Sequence, residues 1–162
     1  MGVLANGLAT GFGAGLAPKA PGTLGALEGV GLYLIFVFLE RTPLQSVISP
    51  LWLLAVANLA LFAVGVWAAA RVCTSTGLAD PQKVVIDEVS GQLIALSPLA
   101  AAPSIAGLIV AFALFRLFDI FKPYPISRLE QLHGGLGVMA DDALAGIFAA
   151  VLVGVGRFAA LI

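Results

Sequence analysis

Two pairs of adjacent acids stand in an otherwise greasy chain: Asp87–Glu88 in "IDEVSG", residues 86–91, and Asp141–Asp142 in "HGGLGVMADD", residues 133–142. A further acid, Asp119, lies in "FRLFDIFKPYPI", residues 115–126, between Arg116 and Lys122. Carboxylates are the oxygen donors that a hard cation such as Mg²⁺ takes, commonly together with phosphate oxygens of a substrate. Arg116 and Lys122 are the kinds of side chain that hold those phosphate oxygens. Phosphoryl transfer asks for positioning and charge neutralisation more than covalent machinery. Acids and bases of these types suit it.

Each group also has a plainer reading. Arg116 and Asp119 share a helix face, as an ion pair would that eases burial. Asp119 near a helix C-terminus opposes the local dipole, however, and a purely structural design would avoid that. Asp141 and Asp142 suit the first turn of a last helix that is expected to start at Asp142. Capping explains one of them, not both. Gly134, Gly135 and Gly137 read as a pliant loop whose N–H groups approach an anion. His133, the single histidine, is more often a hydrogen-bonding loop residue than a ligand. Lys19, in "PKAPGTLGAL" at 18–27, reads equally as an interfacial anchor or as a contact for an anionic headgroup.

The elements that carry these residues follow from composition. The chain has 162 residues, 60% hydrophobic and 10% charged, with a mean hydropathy of +1.07. Soluble domains carry about 25% charged residues; so few cannot coat a water-facing surface. A net charge of −1 gives no attraction for nucleic acid. Cys73 stands alone, so no internal disulfide forms. No base precedes Lys19, so a basic-headed leader is not expected and the whole chain is read as mature protein.

A spanning helix needs roughly 20 apolar residues. Thr23 to Leu39, Leu51 to Ala70, Ser104 to Phe121 and Asp142 to Leu161 meet this. A fifth helix, capped by Asp80 with Pro81 in its first turn, is expected to run to about Ser97 and to carry Asp87 and Glu88. Residues 97–103 form an uncharged turn. The recurrence of Gly7, Gly11 and Gly15, and of Gly25 and Gly29, predicts close helix packing. Pro18, Pro21 and Gly22 should break any helix there. The fold expected is all-α: a polytopic membrane helical bundle of about five spanning helices plus a short N-terminal interfacial or re-entrant segment, forming one membrane-embedded domain over residues 1–162.

Orientation follows from the loop bases. Lys19, Arg71, Lys83, Lys122 and Arg128 fall on one side, against Arg41 and Arg157 on the other, five to two. The first side is therefore cytoplasmic, and Asp87, Glu88, Asp119, Asp141 and Asp142 all fall towards it. A charged acid at mid-bilayer costs about 2.5–3.5 kcal/mol, so paired bases, protons or a cation must compensate. The residues alone leave a metal-dependent enzyme acting on an anionic lipid, a cation transporter with an acidic ion site, or a scaffold held by ion pairs.

The four segments "PGTLGAL" at 21–27, "IDEVSG", "FRLFDIFKPYPI" and "HGGLGVMADD", in this order, resemble the phosphatidylglycerophosphatase A family, over about Gly11 to Gly146. The resemblance implies a bacterial inner-membrane, multi-pass, Mg²⁺-dependent phosphatase with a cytoplasm-facing site. It would convert an anionic phospholipid, phosphatidylglycerophosphate, to phosphatidylglycerol. It also implies Asp87, Glu88, Asp119, Asp141 and Asp142 as catalytic and metal-site residues. Lys19, Arg116, Lys122 and His133 would face phosphate, with Thr23 in second rank. One departure is Ala26, where the family pattern leads one to expect serine; that position offers no nucleophile. Ser90 and Gln92 are more polar than expected beside the acidic pair. No oligomeric state is implied.

Overall fold

A computed structural model describes residues 2–40, 50–129 and 131–162. Among these, the secondary structure is entirely helical. The helices are α1 (Val3–Ala9), α2 (Pro21–Glu40), α3 (Pro50–Thr76), α4 (Ile86–Leu96), α5 (Ile105–Phe121), α6 (Ile126–Leu129) and α7 (Gly134–Phe158). Arg41, counted above for orientation, lies outside the described residues.

Three helical stretches are long and apolar enough to cross a membrane: Pro21–Leu39, Leu51–Thr76 and Gly134–Phe158, with hydropathies of 1.8, 2.1 and 1.9. Their outward faces carry exposed apolar side chains, among them Ile35, Phe38, Trp52, Leu59 and Val151. Such faces suit lipid rather than water. The α5 helix, with 17 residues, stands at the lower limit of about 17 for a span. The fifth expected span differs. The α4 helix has only 11 residues, about 16 Å at 1.5 Å per residue, and cannot cross alone. Asp80 and Pro81 do not start it; the chain stays irregular to Val85, and Ile86 begins the helix. Nine of its 11 residues are buried, including Asp87, Ser90 and Gln92. A helix enclosed on all sides needs neighbours, not lipid, to satisfy its polar groups.

Small residues set those neighbours. Gly22, Gly25 and Gly29 of α2 press against Glu88, Val85 and Gln92 in that region of α4, so the two helices run side by side in one direction. This bears out the close packing predicted from Gly25 and Gly29. On the opposite side, a Cβ at Gly146 of α7 would meet the Gly91 carbonyl, and one at Gly91 would lie 2.5 Å from the Phe115 ring of α5. Gly146→Val should therefore destabilise the bundle by about 1–3 kcal/mol, as overpacking does, read as a lower melting temperature in detergent.

Helix ends follow local chemistry. The α3 helix continues past Arg71 to Thr76, and in that last stretch Thr74 and Thr76 donate their hydroxyls back to the carbonyls of Ala70 and Val72, each at 2.9 Å. Gly77, at φ +72, then stops it. Ser104 caps α5, its hydroxyl accepting from the Gly107 N–H at 3.0 Å. The N-terminal segment is two short helical pieces, α1 and a 3-10 stretch at Gly11–Leu16. Pro21 does not break a helix; it opens α2, where a missing N–H does no harm. The last helix begins at Gly134 rather than Asp142. Gly135 and Gly137 are thus helical and Gly134, at φ +73, turns the chain into the helix, so these glycines do not form a pliant anion-binding loop. A Cβ at Gly135 would strike the Val66 carbonyl, so this glycine permits α3 and α7 to touch.

Candidate active site

The helix directions bring the starts of α2 and α4, the end of α5 and the first third of α7 to one end of the bundle. The result is a polar cavity of about 470 Å³. Asp87, Glu88, Asp119, Asp141 and Asp142 all line it, with Arg116 and Lys122. Residues 55 positions apart in sequence, such as Asp87 and Asp142, meet because α4 and α7 lie in contact.

The two bases are each taken by one acid. Arg116 Nη1 lies 2.5 Å from Asp119 Oδ2, across one helical turn. Lys122 Nζ donates to Asp141 Oδ2 at 2.6 Å, joining α5 to α7. Lys122 is the left-handed end of α5, at φ +43, a conformation disfavoured for a residue with a Cβ. That kink turns its side chain to α7. The edge-to-face rings of Phe118 and Phe148, 5.7 Å apart, fix the same two helices.

Three acids remain. Asp87, Glu88 and Asp142 each offer an oxygen within 4.8 Å of the others'. Glu88 Oε2 and Asp142 Oδ2 are buried and have no hydrogen-bond partner. Buried acceptors without donors are uncommon in folded proteins, and clustered carboxylates repel. Burial lifts the Asp87 carboxyl well above the usual carboxylate range, and the charges of Glu88, Asp142 and Asp80 lift it further. Burial also raises Glu88, partly offset by its hydrogen bond with Asp87. A divalent cation satisfies all of these demands together. The donor set is oxygen-only, which fits Mg²⁺ or a similar hard ion. Asp87 and Glu88 occupy the first turn of α4, where the helix dipole favours negative charge.

Backbone approach keeps the cluster open. A Cβ at Gly22 would run into Glu88 Oε1 and come within 3.2 Å of Arg116 Nη1. Both obstacles are side-chain tips, so the fold can yield while the site cannot. Gly22→Ala should leave melting nearly unchanged and lower turnover by about 100-fold, the scale of a 1 Å misplacement.

The other expected phosphate contacts do not line the cavity. Lys19 is exposed between Pro18 and Ala20, which do line it, so Lys19 stands at its mouth. Thr23 is half-buried one residue beyond Gly22. His133 is exposed at the cap position of α7, with no side-chain cap bond. Two lining residues were missed: Asp80 and Gln82, on the irregular approach to α4. The Asp80–Pro81 pattern, typical of a helix cap, gives no sign of that place. Ser90 donates to Asn58 of α3 at 3.1 Å and faces away from the cavity.

Comparison with known proteins adds an independent line. The family model described as Phosphatidylglycerophosphatase A matches residues 7–157. A Bacteroides thetaiotaomicron protein that carries the provisional name phosphatidylinositol-3-phosphatase is 40% identical, over 93% of this chain and 92% of its own. Proteins named phosphatidylglycerophosphatase A from Haemophilus influenzae and Escherichia coli are 38% and 32% identical. These cover 90% and 88% of this chain, and 84% and 77% of their own lengths. No solved structure matches the chain at a significant level.

Proposed function

The chain belongs to the phosphatidylglycerophosphatase A family of lipid phosphatases, and we propose that its acidic cavity hydrolyses the terminal phosphomonoester of phosphatidylglycerophosphate. The observation that carries the site assignment is the division of labour among the acids. Two are held by bases, and three converge, two of them, Glu88 and Asp142, with a buried oxygen that has no partner.

In this reading Asp87, Glu88 and Asp142 hold Mg²⁺. When bound, the ion neutralises and polarises the phosphate. Arg116 and Lys122 exchange their partner acids for phosphate oxygens as the lipid headgroup enters. Arg116 can bind two of those oxygens at once. Asp119 and Asp141, released, are then placed to accept the proton of the attacking water. Water forms the new P–O bond as the ester P–O bond breaks; the proton taken from water passes to the leaving ester oxygen, which becomes the headgroup's hydroxyl, and phosphate leaves. Lys19, at the mouth, attracts the anionic headgroup. Thr23 and His133 lie further out and are assigned no chemical step.

The membrane arrangement belongs to the same proposal. The α2, α3, α5 and α7 helices cross the cytoplasmic membrane, and α4 stays enclosed between them. The site end carries Lys19, Arg71, Lys83, Lys122 and Arg128 and faces the cytoplasm. An ion path would need ligands that continue to the far end. There, among the described residues, Arg157 Nη1 donates to the Pro98 carbonyl at 2.6 Å, a structural tie.

The test is phosphate release from detergent-dispersed phosphatidylglycerophosphate, set beside phosphatidylinositol 3-phosphate and phosphatidic acid. The first should turn over fastest, and failure on all of them overturns the assignment. A pH dependence follows from the raised Asp87 and Glu88 carboxyls. A carboxyl held protonated to higher pH must lose its proton to bind a cation. The half-saturating Mg²⁺ concentration should therefore rise as pH falls from about 8 to about 6.

A further inference from the structure

Gln92 is a buried polar residue that the site does not use. It is fully buried, and neither its Nε2 nor its Oε1 has a hydrogen-bond partner. An unsatisfied buried amide is expensive, so its presence in the centre of the bundle needs a cause.

Position supplies one. Gln92 follows Glu88 by four residues on α4, one helical turn on the same face. Side chains on a helix lean towards its N-terminus, so the Gln92 amide leans back over the turn that holds Glu88. The α2 glycines confine both to one seam: Gly22 and Gly25 lie against Glu88, and Gly29 against Gln92. Within that seam Glu88 Oε2 is a buried acceptor with no donor, and Gln92 Nε2 is a buried donor with no acceptor. The two deficits are complementary and a single turn apart. The rival partner on α4, Ser90, is already bonded to Asn58.

We propose that Gln92 is a positioning residue for Glu88: its amide N–H donates to the Glu88 carboxylate when a divalent cation is bound, and so fixes the orientation of that ligand. The proposal rests on the reading of Glu88 as a metal ligand. It assigns Gln92 no contact with the substrate. Outer partners of metal ligands commonly govern affinity by about 10–100-fold.

The experiment uses the purified full chain in detergent, with Mn²⁺ as the probe, titrated calorimetrically. Gln92→Leu keeps the volume and removes the amide. Its Mn²⁺ dissociation constant should rise about tenfold or more, with a melting temperature in the metal-free state equal to or above that of the wild type. In turnover, the half-saturating metal concentration should rise by a larger factor than the maximal rate falls. Gln92→Met should behave as Gln92→Leu does. Equal Mn²⁺ affinity in wild type and both variants overturns the proposal while leaving the metal site intact. A loss of melting temperature with unchanged affinity also overturns it, since Gln92 would then act through packing alone. No Mn²⁺ binding by the wild type overturns the metal reading itself, and this one with it.

Discussion

Asp142→Asn and Asp87→Asn should each reduce phosphate release by more than about 100-fold, the upper end of what loss of a mere outer partner causes. Each substitution keeps size and removes one negative oxygen from a cluster of three. Neither should unfold the protein. Asp87 and Asp142 are 8% and 4% exposed, and their mutual repulsion opposes folding in the absence of a cation. The metal-free melting temperature should accordingly hold or rise. Asp119→Asn and Asp141→Asn make the contrast. Their partners are Arg116 and Lys122, so their loss should act on substrate capture and the proton step and leave cation affinity nearly intact. Purified variants assayed for turnover and Mn²⁺ affinity separate the two groups. Full activity in both Asp87→Asn and Asp142→Asn would remove the metal-site account.

Metal removal is the second large effect. Chelator should abolish turnover, and added Mg²⁺ should restore it. The same ion should stabilise the fold, because it binds only where α4 and α7 bring Asp87, Glu88 and Asp142 together. At a hundredfold excess over the dissociation constant, linkage gives about 2.7 kcal/mol. A melting curve in detergent, with and without Mg²⁺, reads this directly. The shift should vanish in Asp142→Asn.

Much of the site could be read from residue types. Asp87, Glu88, Asp119, Asp141 and Asp142 stood out because so apolar a chain tolerates acids poorly, and all of them line one cavity. The Arg116–Asp119 pair followed from a spacing of three. What failed was punctuation. Asp80–Pro81 looks like a helix start, yet the chain runs on irregularly to Val85 because the Val85 N–H is already bonded to the Ala9 carbonyl, at 2.8 Å. That tertiary bond has no local signature. The glycines before Asp141 suggested a loop, but helix contacts demanded them. Which acids pair with bases was also beyond local reading, since Lys122 and Asp141 meet only through the packing of α5 on α7. His133 drew notice as the sole histidine and lies outside the cavity lining.

The central claim is that Asp87, Glu88 and Asp142 converge on one divalent cation. Anomalous diffraction from crystals of the full chain soaked in Mn²⁺ tests it most directly. The account predicts a manganese peak bounded by carboxylate oxygens of all three residues, at the cavity end where Arg116 and Lys122 stand. A peak elsewhere, or none at saturating Mn²⁺, would contradict it.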